Sequence, residues 1–285
     1  MLKEGGANED DLIAARSRYR GTSAEYARFS KAMDLPQQRE RVTVDGLGNI
    51  GQGKYKKPVD KSAENDIIEL DKKLYPDSIA GVKRGAPMTH DEADSGHVNP
   101  KWEGGRGGPY SENCQSCVVV YEARLRGFDV DTFPNDSDHP TLDMLSKSTN
   151  MAWIDPKANG IPNYIFDKKE WRRKGEKLDA KMFENMLKDS MKTGGRYHLG
   201  FDRKGRKSTG HIVTITKDAN NVLTIYDPQS NESFSGKAVS KYLKNIKYRE
   251  SSYGYSWNNI PELLRVDDKI IDPDIAKNIM GGAKK

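Results

Sequence analysis

Polar and apolar positions repeat at two periods, and each falls in its own stretch of the chain. Cys114 to Arg126 (CQSCVVVYEARLR) has Cys114, Val118, Tyr121 and Leu125 in steps of four, three and four, one stripe of a helix. Gly127 is a natural stop, and Ser111 or Asn113 is a suitable cap at the start. Ala180 to Lys192 repeats the helical period, with Met182, Phe183, Met186, Leu187 and Met191 on one side. From Arg196 the period drops to two: RYHLGF, HIVTITK and NVLTIYD read as three strands, with turn residues from Asp218 between the second and third. A helix followed later by an antiparallel meander predicts an α+β domain, a helix packed on an antiparallel sheet.

The first hundred residues differ. All four Trp and both Cys come after them. Ser23–Met33 and Asp60–Leu74 are short helix candidates, separated by a stretch rich in Gly, Gln and Lys. This region reads as an extended arm ordered by partners. Residues 81–112 are dense in Gly and Pro and read as a linker. The expected organisation is an arm over 1–97, an α+β domain over 98–275 and a flexible tail over 276–285.

Composition narrows the function. No run of eighteen or so apolar residues exists to span a membrane. The opening MLKEGGANEDD lacks the apolar core of a secretory signal, so no signal peptide is expected. Net charge is +5, from 47 basic and 42 acidic residues well mixed along the chain, a weak ground for nucleic acid. The basic runs at 172–177 and 202–207 read as solvated loops, with a rim for an acidic partner or nucleic acid as the sharper reading. No Walker A loop, dinucleotide fingerprint or calcium loop appears, so no cofactor is expected. Two cysteines exclude a disulfide scaffold. The lone CxxC lacks a second pair or an H-x₃₋₅-H partner, so no metal is expected either. His90, His97 and His139 lie in polar loops and read as exposed bystanders.

Three places carry candidate chemistry: Asn113-Cys114-Gln115-Ser116-Cys117 at a helix start, His211 opening a strand, and Asp227 ending the next. A thiol at a helix N-terminus loses proton affinity, and the thiolate is the nucleophile. An imidazole within reach can hold it as an ion pair and protonate a leaving amine. A carboxylate fixes the imidazole tautomer. Asp227 lies sixteen residues after His211; in an antiparallel hairpin with a short turn, both fall at the same end of the sheet.

The segments NCQSCVVVYEARLRGFDV, GHIVTI and IYDPQS, with VNPKW and GGPYSENC before them, resemble the papain-like fold toxin domains of the glutamine deamidase type found in bacterial polymorphic toxin systems. Similar domains are carried by phage minor head proteins. The likeness covers roughly residues 98 to 235. The opening stretch YARFSKAMDLPQQRERVTVDGLG is more loosely similar to the start of phage structural proteins. The resemblance implies Cys114 as nucleophile with Cys117 as the alternative, His211 as general base and Asp227 as orienting acid. Asn113, Gln115 and Gln229 would support the site, with N–H groups around Cys114 and Gln115 forming the oxyanion hole. It further implies a protein substrate, deamidated or cleaved, and partnership of residues 1–97 with portal or capsid proteins. Carriage in a virion, with delivery into a bacterial cytoplasm, is the expected setting. A purely structural virion protein with an inactive domain is the competing expectation.

Overall fold

Alternation along three consecutive runs builds one sheet with both faces covered. The computed structural model describes residues 70–94, 98–102, 104, 108–135, 140–166, 179–204, 210–248 and 261–283. In chain order the elements are β1 (Ser78–Ile79), β2 (Val82–Lys83), α1 (His90–Ala93), α2 (Cys114–Leu125), β3 (Val130–Thr132), α3 (Pro140–Lys147), a 3-10 turn (Thr149–Ala152) and β4 (Trp153–Ile154). They continue with α4 (Ala180–Ser190), β5 (Arg196–Asp202), β6 (Gly210–Lys217), β7 (Leu223–Asp227), β8 (Glu232–Ser235), α5 (Lys237–Leu243), β9 (Glu262–Arg265), β10 (Ile270–Ile271), α6 (Pro273–Ile279) and β11 (Met280–Gly282).

The main sheet has five antiparallel strands in the order β8-β7-β6-β5-β9. Odd and even positions of β6 go to different cores. Ile212 packs with α2, Tyr226 and Leu264. Val213 and Ile215 pack with Phe183 and Leu187 of α4 and with Val239 and Leu243 of α5. The predicted α+β class, a helix on an antiparallel sheet, is the architecture observed. No helix among the described residues is long and apolar enough to cross a membrane.

Helix α2 is buried on more than one stripe. Every residue from Ser116 to Arg124 is buried, including Val118, Val119 and Val120. The sheet covers one side. Apolar residues of α3, β3 and α6 (Leu142, Val130, Ile279) join the same core. The helix stops where expected: Gly127 has φ +99°, and a Cβ there would sit 2.6 Å from Gly85 O. That close approach brings the preceding segment onto the helix end, where the Gly85 N–H donates to Gly127 O.

Two expected boundaries are corrected. The packed body does not begin at 98. Ile79 and Ala93 are in the core, Arg84 bridges Phe128, and Arg124 Nε donates to Ala93 O at 2.6 Å. Residues 81–94 are therefore a tethered strap rather than a free linker: most of them are exposed, and backbone bonds and Arg124 donors hold them to the body. Nor is 276–285 a loose tail up to Ala283. Ala276 and Ile279 are fully buried, and β11 pairs with β3, Met280 opposite Thr132. Backbone pairing needs no apolar pattern, so MGG could carry it unseen. The candidate helix Ser23–Met33 and most of Asp60–Leu74 lie outside the described residues, as do Trp171, Trp257 and the run 172–177.

Candidate active site

The site forms where the start of α2 meets one end of the β6–β7 hairpin. The hairpin pairs Thr214 with Tyr226 and Lys217 with Leu223, so the start of β6 and the end of β7 share an edge. His211 and Asp227 are both buried there. His211 Nε2 lies 2.5 Å from Asp227 Oδ2, the imidazole N–H donating to the carboxylate. The thiol of Cys114 is close enough to the imidazole to act on its proton affinity. Burial alone drives the proton affinity of His211 down. The charge and hydrogen bond of Asp227, with a contribution from Cys114, outweigh it and bring the pKa up to about 9. The imidazolium is thus the favoured form at neutral pH.

The carboxylate is held from several sides. The Gln229 N–H donates to Asp227 Oδ1 at 3.2 Å, and Arg203 Nη2 stands 3.6 Å from Oδ2. Phe201, directly opposite His211 across the sheet, meets the imidazole edge-on.

The two cysteines sit in different surroundings. Cys114 is the first residue of the helix and is partly exposed. The N–H groups of Ser116 and Cys117 both donate to Asn113 O, so those of Cys114 and Gln115 precede the first helical bonds. Cys117 is completely buried, and its Sγ–H donates to Asn113 Oδ1 at 3.4 Å. Burial pushes its thiol well above the ordinary value, and the charges of Cys114 and Asp227 add to the rise. The structure therefore brings Cys114, His211 and Asp227 together and sets Cys117 one turn behind them.

Asn113 makes no side-chain cap. It is a fully buried junction instead. Its Nδ2 donates to Asn99 Oδ1 at 3.1 Å and to Thr132 Oγ1 at 3.3 Å, and its Oδ1 accepts from Gln229 Nε2 at 3.2 Å. Gln115 has its Oε1 buried with no hydrogen-bond partner among the described residues. Sequence reasoning missed Asn99, Thr132 and Arg203 as neighbours of the site. The signals in the sequence are VNPKW, part of the resemblance, for Asn99 and the basic run at 202–207 for Arg203. His90 is exposed, as expected, yet its Nδ1 lies 2.7 Å from Tyr121 Oη and its ring meets Tyr226 edge-on. His97 and His139 lie outside the described residues. No group of three or more His, Cys, Asp or Glu that could hold a metal occurs among the described residues.

A partly exposed thiol at a helix terminus, against a buried imidazole–carboxylate pair on a sheet edge, defines a cysteine-type amidohydrolase of papain-like fold. Residues 112–232 match the family model described as papain fold toxin 1, glutamine deamidase, and the chain carries a domain of that family over this span. Cys114, His211, Asp227 and Gln229 lie inside the span, and Asn99 lies outside it. No curated protein matches the chain.

Proposed function

We propose that the protein is an effector that deamidates glutamine side chains of a target protein, with Cys114 as nucleophile, His211 as general acid and base, and Asp227 as the group that orients the imidazole. The observation that carries this reading is the 2.5 Å contact of His211 Nε2 with Asp227 Oδ2, with the partly exposed Cys114 close enough to act on the imidazole.

The Cys114 thiolate attacks the carboxamide carbon of the glutamine, forming the C–S bond and an oxyanion. The N–H groups of Cys114 and Gln115 at the helix start receive that oxyanion. The His211 imidazolium gives its proton to the departing nitrogen, and ammonia leaves an acyl-thioenzyme. The neutral imidazole then takes a proton from water, which attacks the thioester. Glutamate is released and the thiolate returns. Asp227 keeps one tautomer throughout. Cys117 supports the fold in this reading: its sealed, proton-retaining thiol is a poor nucleophile.

The test is expression in bacteria followed by peptide mass mapping. Wild type should convert glutamine to glutamate at defined sites in host protein; Cys114→Ala should not, and Cys117→Ala should. Cleaved rather than deamidated peptides would assign the domain to proteolysis, and no Cys114-dependent change of either kind would defeat the reading.

We further propose a virion setting, in which residues 1–97 engage portal or capsid proteins and the particle delivers the domain into the bacterial cytoplasm. Its support is the likeness of the opening residues to phage structural proteins. Protease protection of residues 1–69 in particles, and not in the isolated protein, is the expected result; equal cleavage in both would contradict it.

A further inference from the structure

The loop after β7 is tied to the start of α2 by side-chain amides, and the ties converge on one residue. Gln229 uses three of its hydrogen-bonding groups on the frame of the site. Its backbone N–H donates to Asp227 Oδ1 at 3.2 Å. Its carbonyl accepts from Asn99 Nδ2 at 3.1 Å. Its side-chain Nε2 donates to Asn113 Oδ1 at 3.2 Å. Asn113 is joined by one peptide bond to Cys114, and Asp227 holds His211. A continuous path therefore runs from the thiol through Asn113, Gln229 and Asp227 to the imidazole, closing on the thiol again.

The orientation of the amides is fixed by their other partners. Asn113 Nδ2 is committed to Asn99 Oδ1, with Thr132 Oγ1 and Phe133 O beside it. Its Oδ1 must then accept, and it receives Gln229 Nε2, Cys117 Sγ and Asn99 Nδ2. The donor at position 229 makes the shortest of these three contacts, at 3.2 Å against 3.4 Å for the other two. A carboxylate there would set oxygen against oxygen inside a buried junction. Asn113 is 0% exposed, so water offers no substitute partner.

We propose that Gln229 is a positioning residue that sets the distance between the Cys114 thiol and the His211 imidazole by locking the β7 loop to the start of α2. This rests on the assignment of Cys114 and His211 above. The lock is neutral where it touches the helix. It fixes geometry without placing a charge that would compete with the thiolate–imidazolium pair.

The test compares Gln229→Met, which keeps the bulk and removes the donor, with Gln229→Glu, which keeps the shape and reverses the polarity. Ser230→Ala is the control next door, since Ser230 Oγ–H donates to exposed Glu232 Oε2 at 3.0 Å. Two readings are taken on the full chain. One is the pH midpoint of iodoacetamide alkylation at Cys114, which needs no substrate. The other is kcat and KM on a glutamine peptide. Both Gln229 variants should raise the alkylation midpoint and lower kcat by roughly 100-fold with KM nearly unchanged, the scale expected when reacting groups are misplaced by about 1 Å. Ser230→Ala should match wild type. A wild-type midpoint and kcat in both Gln229 variants would overturn the proposal. So would loss of folding in both, because the contacts would then be architectural. If wild type turns over no glutamine at all, the functional reading fails, while the alkylation midpoint still decides the lock.

Discussion

The two ends of helix α2 are built from opposite materials. At the N-terminal end Cys114 is partly exposed, and Asn113 behind it is held by neutral amide contacts of 3.1–3.4 Å. At the C-terminal end Glu122 and Arg126 are both buried. Arg126 Nε donates to Glu122 Oε1 at 2.9 Å, and Arg196 from β5 grips the same carboxylate through Nε and Nη2 at 2.7 and 2.8 Å. The remaining donors of Arg126 reach Leu74 O, Lys269 O and Val266 O, with its guanidinium over the Trp153 ring. The ionic end binds the helix to Leu74, the sheet and the chain near 269. The neutral end leaves the electrostatics of the thiol to His211 and Asp227. One helix is therefore anchored by charge at the end away from Cys114 and held by neutral amides at the end that carries it.

The sharpest way to break this comparison is to delete a group at each end. Cys114→Ala should remove turnover, a loss on the order of 10⁴-fold or more by analogy with deleting a member of a catalytic triad, while leaving the unfolding midpoint in urea close to wild type. Glu122→Ala should do the reverse in kind. Removing one member of a buried ion group strands the others, at about 3–5 kcal/mol, read as a shift of the urea midpoint. An unchanged midpoint would mean that the charged end does not anchor the helix.

The pH response sharpens the contrast. Glu122 is buried, which alone would raise its pKa, yet Arg196 and Arg126 hold it down at about 2, against an ordinary 4.5. Its contribution to stability is therefore present above 4.5 and lost as pH falls toward 2. His198, packed edge-on against Trp153 on the same side of the sheet, is lowered by burial to about 4, against an ordinary 6.5. Folding accordingly weakens as pH falls from 6.5 to about 4, because the unfolded chain takes up a proton that the folded one refuses. His211 moves the other way. Its contribution is full below 6.5 and is lost as pH rises through about 9, where the alkaline limb of kcat/KM should also fall. Urea midpoints across pH, set beside the rate profile, check both signs. The smallest expected effect is Cys117→Ala, about 1 kcal/mol of lost packing with turnover retained.

Much of the site was legible because it follows local rules. A period-two hairpin placed His211 and Asp227 at one end, a helix start exposed Cys114, and Gly127 marked the close. What escaped was how the frame is joined. Gln229 is legible through the resemblance, but its tie to Asn99, 130 positions away, is an amide hydrogen bond that leaves no periodic trace. Glu122 and Arg126 at i and i+4 look like a solvated pair until Arg196 arrives from the sheet. The strap and β11 are held largely through backbone bonds and arginine donors, so composition alone made them look loose.

The most direct test of the central claim is a peptide map of iodoacetamide labelling in the native full chain at neutral pH. Label confined to Cys114, lost when His211 is changed to Ala and joined by Cys117 only in denaturant, is the predicted result. Equal slow labelling of both thiols, or Cys117 reacting first, would contradict it.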